Sequence, residues 1–317
     1  MALQFGEFSL ISYIKDLFSD IPSGDILTIG DDCSVLPYSG DQLLVVTTDM
    51  LVEGVHFLRD RISAFELGAK SLAVNLSDVA SMGASPLGVT LSIAVPSTLD
   101  DDYMKEFLRG VHSSGVLMLG GDTTSSLDRF TISVTALGLV SSDCLKLRSG
   151  ARVGDRIYVT SALGDSAAGL YCLINDLDSD DLDVSSLIAA HHNPSAHLSQ
   201  GLALGSLPMV HSMMDISDGV ASDLVHILEA SGCSARIDLS AIPISDCLSR
   251  FCRSRDLDPL RFSLSGGEDY SLLFTASDGD LALDFPVFQI GEIVESCGNC
   301  HKIDWGGEFD FRGFTHF

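Results

Sequence analysis

Basic residues are scarce in this sequence: 18 Lys and Arg stand against 44 Asp and Glu, for a formal net charge of −26. The only lysines are Lys15, Lys70, Lys105, Lys146 and Lys302. Without clustered cations a chain cannot neutralise a phosphate backbone, which argues against a nucleic-acid partner. Long apolar runs are missing too, none approaching the roughly 20 residues that cross a bilayer, so no membrane association is expected. Residues 1–20 carry Glu7 and Asp16 and lack a basic start followed by an apolar block, so no signal peptide is expected and a cytoplasmic enzyme is the default. The Walker-type P-loop, the dinucleotide fingerprint and the protein-kinase loop set are all absent, and any phosphate must be held in another way.

A cysteine framework is lacking as well. Cys33, Cys144, Cys172, Cys233, Cys247 and Cys252 are scattered through apolar or ordinary segments, as reduced core cysteines are. Only Cys297-Gly-Asn-Cys300-His301 has ligand-like spacing, matching a c-type haem attachment or half a zinc site. No export signal accompanies it and no second Cys/His pair completes a zinc tetrad, so it reads as a turn between C-terminal strands, with a haem or zinc protein as the competing reading.

What is present suits a globular enzyme. The 317 residues, 46% hydrophobic and 20% charged, fill two domains. Apolar β-rich runs alternate with helical patterns, giving an α/β (α+β) class. Strands are predicted at 26–29, 43–47, 87–95, 116–119 and 130–140 in the first half. In the second they are predicted at 156–160, 209–213, 235–239, 271–275 and 287–290. Ser63-Ala-Phe-Glu66 is a capping box that opens a helix to about Met82, stopped by Gly83 and Pro86. A second helix is predicted over 219–230, with Val220, Leu224, Ile227 and Leu228 on one face and Gly232 as its stop. Residues 175–186 read as an exposed helix end or loop. A boundary falls near Arg148-Ser-Gly-Ala-Arg-Val-Gly154, dividing the chain into 1–147 and 148–317.

The chemistry lies in a recurring arrangement, an apolar strand followed by small residues and then an acid. It occurs at Ile29-Gly-Asp-Asp32, Val46-Thr-Thr-Asp49, Leu119-Gly-Gly-Asp122, Met214-Asp-Ile-Ser-Asp-Gly219 and Gly266-Gly-Glu-Asp269. Hard cations prefer oxygen ligands, and loops at strand ends let carboxylates and hydroxyls face one point while Gly admits phosphate to the backbone. A single Gly-Asp turn is ordinary hairpin chemistry, but five together point to a divalent-metal phosphate site. Most of the remaining acidity reads as solvated surface. Asn75 and Asp78 share a face of the capped helix with Lys70 and Ser71, a pattern that on a surface helix is normally solvated.

Thr48-Asp-Met-Leu-Val-Glu-Gly-Val-His-Phe57 and Lys70-Ser-Leu-Ala-Val-Asn-Leu-Ser-Asp-Val-Ala-Ser-Met-Gly-Ala-Ser-Pro86 resemble the signature of thiamine-monophosphate kinases. The resemblance continues in order through Gly120-Gly-Asp-Thr-Thr124, Arg148-Ser-Gly-Ala151, Gly164-Asp-Ser-Ala-Ala-Gly169, Asp215-Ile-Ser-Asp-Gly219, Gly266-Gly-Glu-Asp-Tyr270 and Gly313-Phe-Thr-His-Phe317. Met-Gly-Ala and Gly-Gly-Asp are shared with the wider superfamily of aminoimidazole ribonucleotide synthetases, selenophosphate synthetases and a hydrogenase-maturation protein.

The resemblance implies Asp32, Thr47, Thr48, Asp49, Asp78, Asp122, Asp215 and Asp218 as ligands of several Mg²⁺ ions. It implies Gly121, Asp122, Arg148 and Ser217 as ATP contacts. It implies His56, Glu268 and Phe314 as thiamine-phosphate contacts, with Trp305 the alternative aromatic. Residues 96–120 are a few shorter than the family leads one to expect, which leaves any ATP contact there, Tyr103 included, unassigned. The activity implied is direct transfer of the ATP γ-phosphoryl group to thiamine monophosphate, with His56 positioning substrate rather than acting as a phosphorylated nucleophile. A sister ATP-dependent synthetase and a non-catalytic nucleotide-binding regulator are the alternatives. The fold implied is two α/β domains, the N-terminal one a mixed sheet with helices that pairs across a homodimer axis.

Overall fold

The computed structural model describes residues 6–279, 281–296, 302–307 and 311. Phe314, as well as the segment from Cys297 to His301, lies outside the described residues. The chain is mixed α/β, with two sheets. The first holds β1 (Ser34–Ser39), β2 (Gln42–Val52), β3 (Ser85–Pro96), β4 (Met118–Ser126) and β5 (Thr131–Ser141) in the order β1-β2-β5-β3-β4. All neighbours in it are antiparallel except the parallel pair β3/β4. The second holds β6 (Arg156–Val159), β7 (Val210–Asp215), β8 (Ser234–Ile237), β9 (Leu272–Ala276), β10 (Phe288–Val294) and β11 (Ile303–Asp304), ordered β11-β8-β10-β6-β9-β7.

Helices fill the intervals: α1 (Glu7–Leu17), α2 (Ala64–Ser81), α3 (Asp101–Ser113), α4 (Asp165–Ile174), α5 (Leu182–His192), α6 (Leu198–Gly205), α7 (Val220–Ser231), α8 (Asp246–Arg255) and α9 (Pro259–Ser265). None of the described helices is long and apolar enough to cross a membrane.

The alternation of β5 explains how the first sheet packs. Ile132, Val134, Ala136 and Val140 are buried while their neighbours are half-open, so one face of the sheet meets α2 and the other is largely uncovered. Glycines set the distance at which α3 lies on α2: a Cβ at Gly68 would stand 2.0 Å from the Phe107 carbonyl oxygen, and one at Gly110 would stand 1.9 Å from that of Phe65. The second sheet buries Ile157, Val159, Met214, Ala235, Leu273 and Ile290 under α7, whose Val220, Leu224, Ile227 and Leu228 form the predicted stripe.

α2 begins as its sequence dictates. Ser63 accepts the Glu66 N–H and Glu66 returns to the Ser63 backbone, a complete capping box. Its polar face is not solvated as expected: Lys70, Ser71, Asn75, Ser77 and Ser81 are all buried. The reason is tertiary. α2 packs on β2, β3 and β5 with one side and on α5, α6 and β7 with the other, so it is the joint between the two halves.

Three other expectations change. Residues 26–29 are not a strand; only Leu27 bridges to Val35, and the paired strand is β1. β2 and β4 run further than predicted, so Thr47, Thr48, Asp49, Gly121 and Asp122 stand inside strands rather than in loops after them. Residues 175–186 are the expected exposed connection only to Asp181; from Leu182 they are the first turn of α5, with Val184 buried.

Candidate active site

Two loops of the C-terminal half meet backbone to backbone. After β7, residues 216–219 turn into the N-terminus of α7; after α9, residues 266–271 return toward β9. Glu268 N–H donates to the Ser217 carbonyl (2.7 Å) and Tyr270 N–H to that of Ile216 (2.8 Å). The approach admits no side chain at Gly267, where a Cβ would lie 2.4 Å from the Ser217 oxygen. Glu268 and Tyr270 take positive φ values of 64° and 50°, an unfavourable conformation for L residues that these hydrogen bonds hold in place. Between them Asp269 accepts the Gly164 N–H (2.8 Å) at the start of α4, and burial raises its pKa to about 8. Asp223, in the first turn of α7, accepts the Asp218 N–H (3.1 Å). Ser217 and Asp218 are thereby set at a helix N-terminus, where backbone N–H groups favour anions.

From the other half, α2 grips β2. Asn75 Oδ1 accepts the Asp49 N–H (3.0 Å), and Thr47 Oγ1 donates to Asp78 Oδ2 (2.6 Å). One helical turn and two strand residues match closely enough for Asn-x-x-Asp to hold the strand at both points. Downstream of β2, Glu53 accepts the Phe130 N–H (2.8 Å) and pairs with Arg59 (2.8 Å). His56 Nδ1 accepts the Val52 N–H (3.0 Å), which in the neutral ring places the proton on Nε2.

A cleft of about 740 Å³ opens where these pieces meet. Thr48, Asp49, Asp78, Asp215, Ser217 and Asp218 line it together with His56 and Glu268, so most of the residues singled out in the sequence share one space. Asp32, Thr47 and Arg148 stand behind this lining. Arg148 Nε and Nη2 both reach Asp32 Oδ1 (2.7 and 2.6 Å), and Asp31 accepts the Arg148 N–H (3.0 Å). Gly121 and Asp122 do not line the cleft; both are exposed on β4. Sheet register sets Asp122 in the row of Ser92, Ser133 and Met50, one residue out of step with Asp49, so the two carboxylates leave the sheet on opposite sides. Tyr103 packs edge-on to Phe130 with its hydroxyl buried and unpartnered among the described residues. Trp305 meets Phe311 at the far edge of the second sheet.

The electrostatics are lopsided. Burial, followed by the charge of Asp32, pushes the Asp215 pKa up to about 8 and that of Asp31 to about 7. Asp49 rises for the same two reasons, and Asp78 rises well above the carboxylate range through burial and then the charges of Asp49, Asp215 and Asp32. Burial works against the Arg148 charge, yet Asp32 outweighs it and holds the guanidinium ionised. Asp32 Oδ2 is buried and has no hydrogen-bond partner among the described residues. Acids that repel one another around an orphaned carboxylate oxygen fit a divalent cation. Among the described residues no three Asp, Glu, His or Cys side chains converge into a closed metal site.

Lys70, His191 and His192 also line the cleft, and sequence reasoning missed all three as site residues. Lys70 stood in the motif but looked like a solvated position. The two histidines lie on α5 in no recognisable pattern.

The family profile of AIR synthase related proteins matches in both its parts, the N-terminal domain over residues 30–140 and the C-terminal domain over 152–298. The thiamine-monophosphate kinase of Escherichia coli K12 is 41% identical over 329 residues, covering 98% of each chain. This chain belongs to the thiamine-monophosphate kinase family. Another family member, from Aquifex aeolicus, is 33% identical over 318 residues and 99% of each chain. Among solved structures, AaThiL complexed with AMPPCP and TMP superposes with a TM-score of 0.90 at 32% identity, over 100% of this chain and 99% of that one. The hydrogenase maturation protein HypE in complex with ATP has the same fold at 20% identity and a TM-score of 0.65. The family is one of phosphotransferases, and the Thr48–Phe57 and Gly266–Tyr270 motifs that marked the resemblance are the segments that shape the cleft.

Proposed function

We propose that this protein transfers the γ-phosphoryl group of ATP to the phosphate of thiamine monophosphate, directly and in line, giving thiamine diphosphate and ADP. The observation that carries the reading is the cleft itself: acids, a helix N-terminus and the His56/Glu268 pair from both motif sets face one space. The relatives' names and the neighbour bound to AMPPCP and TMP support the choice of substrates.

Phosphoryl transfer needs alignment and charge neutralisation more than covalent help. Mg²⁺ held by Asp32, Thr47, Thr48, Asp49, Asp78, Asp215 and Asp218 would offset the negative charge of the phosphates. Ser217 offers its hydroxyl beside the α7 N-terminus and Arg148 adds a cation to the nucleotide set, while Gly121 and Asp122, exposed on β4 outside this cleft, would contact metal and nucleotide only beyond it. A phosphate monoester is already largely ionised near neutral pH, so the acceptor needs no strong base. His56 serves as an Nε2–H donor that orients the acceptor, and Glu268 fixes its other end. Phe314, outside the described residues, remains in the proposed acceptor set.

The same reading divides the chain into 1–147 and 148–317 and assembles it as a cytoplasmic homodimer. Supporting the dimer are the uncovered face of the first sheet, with Met50 exposed on β2, and the exposed Leu117, Met118 and Leu119 at the start of β4, where Gly121 and Asp122 also lie. The test is ADP release measured with thiamine, thiamine monophosphate and other phosphorylated acceptors in turn. Turnover is expected with thiamine monophosphate alone and only with Mg²⁺ present; release with a different acceptor would move the chain to a sister activity.

A further inference from the structure

Lys70 belongs to none of the metal, nucleotide or acceptor sets, yet it is a cation with only 1% of its side chain exposed, at the wall of the cleft. Its ammonium carries three hydrogens. Nζ is 2.9 Å from Glu268 Oε2, 2.9 Å from the His191 carbonyl oxygen and 3.5 Å from His191 Nε2. The protein therefore occupies its donors, and Lys70 is not free to act as a phosphate-binding lysine.

Its partners both come from the other half of the chain. Lys70 is on α2, His191 on α5 and Glu268 in the loop after α9. His191 is itself held, with Nδ1 3.2 Å from Ser166 Oγ on α4. Helix α5 reaches that position because α4 carries Gly169 beneath it, where a Cβ would lie 2.1 Å from the Leu187 carbonyl oxygen. Glu268 has a backbone in the left-handed region and a side chain 25% exposed toward the cleft. Burial alone would favour its neutral form, and Lys70 followed by His191 brings its pKa below the ordinary value instead.

We propose that Lys70 is a positioning residue for the acceptor: reaching across the joint between the two halves, it fixes the Glu268 carboxylate in the cleft, with His191 as the backstop. The inference rests on the reading that Glu268 contacts the acceptor. It goes further in making acceptor affinity depend on a residue of the N-terminal half that touches no substrate.

The experiment compares Lys70→Met, Lys70→Arg, Glu268→Gln and the Lys70→Met/Glu268→Gln double variant in the full-length protein. Initial rates are taken with ATP and thiamine monophosphate varied separately, and thermal melting is recorded alongside. Lys70→Met is expected to raise KM for thiamine monophosphate about tenfold while KM for ATP moves less than about threefold. Lys70→Arg should show a smaller rise of the same kind, and the double variant should be no worse than Glu268→Gln alone, because the two residues act as one unit. Equal changes in both KM values, a fall in kcat alone, or additive effects would overturn the inference. If Lys70→Met melts below the assay temperature, Lys70→Arg decides by the same split. A normal acceptor KM in Glu268→Gln removes the underlying reading, whereas a raised one beside an unaffected Lys70→Met removes only the role of Lys70.

Discussion

Replacing Asp215 by Asn should make the metal-free protein more stable while destroying its activity. Asp215 ends β7 with 3% of its surface exposed, and burial together with Asp32 and Asp49 raises its pKa from 3.8 to about 8. In the unfolded chain the same carboxyl ionises at its ordinary value, so at pH 7 the folded state must take up a proton that the unfolded state does not hold. The cost is absent below about pH 4, grows as pH rises and is complete above about pH 8. Integrated to pH 7, it has an upper limit on the order of 4 kcal/mol, at 1.4 kcal/mol per tenfold. Because Asp32 and Asp49 share the repulsion, we expect about half of that to be recovered by a neutral residue of the same shape. For a chain of this size that is roughly 5 °C in melting temperature.

The assay is thermal unfolding in EDTA at pH 7 and pH 5, then with Mg²⁺ and a non-hydrolysable ATP analogue. Asp215→Asn should melt above the parent in EDTA at pH 7, with the gap more than halved at pH 5. It should gain little from Mg²⁺ and nucleotide, which stabilise the parent, and should release ADP about a hundredfold more slowly. A variant that melts lower than the parent in EDTA, or gains as much from Mg²⁺ and nucleotide, would refute the reasoning.

Arg148→Met leaves Asp32 buried without its cation and should cost about 3–5 kcal/mol in EDTA, with part of the loss returned by Mg²⁺ in the same melting assay. Gly267→Ala forces a Cβ to within 2.4 Å of the Ser217 oxygen, so the loops must part; we expect about 1–3 kcal/mol of destabilisation and a fall in kcat for ADP release. Ser63→Ala removes the α2 cap without removing a side chain of the cleft lining and should lower stability by about 1 kcal/mol in denaturant unfolding, with kcat unchanged.

What could be read directly from the sequence was whatever is decided locally. α2 announces itself by a capping box and a following Gly83 with φ of 70°, and α7 by its apolar stripe and Gly232 with φ of 68°; both were placed to within about two residues. The first strand of the first hairpin, β1, was missed, and it carries Pro37, which lacks the N–H a strand uses. The structure tolerates it because β1 is the edge of the sheet, where a missing N–H costs nothing. Residues 26–29 drew the assignment instead, although Ile26, Leu27 and Ile29 are exposed. The rule of acids after strands described Asp218 and, as the last residue of β7, Asp215, but not Glu268, which follows α9 and precedes β9. It misplaced Asp49 and Asp122, since Thr47 and Thr48 are β-branched and carry β2 onward against Ala136 and Thr135. Lys70 and His191 were beyond any local rule, because their burial follows from a helix sandwiched between two halves of the chain.

That sandwich also explains why the acids can be functional rather than a flaw in the fold. Two cations of the joint are already matched, Arg148 by Asp32 and Lys70 by Glu268. Asp49, Asp78 and Asp215 repel one another, and Arg148 offsets only part of the charge of Asp215. A structural network would satisfy its own charges, since uncompensated burial only lowers stability. This one stops short at the one place where both halves, a helix N-terminus and the motif glycines converge. Protons relieve the imbalance at low pH, and under the proposed function a nucleotide would relieve it near neutral pH by bringing positive charge as its bound metal. The site is therefore weakest as a fold element where it is strongest as a binding site, and stability in EDTA and affinity for Mg²⁺ with nucleotide should move in opposite directions across substitutions of these three acids.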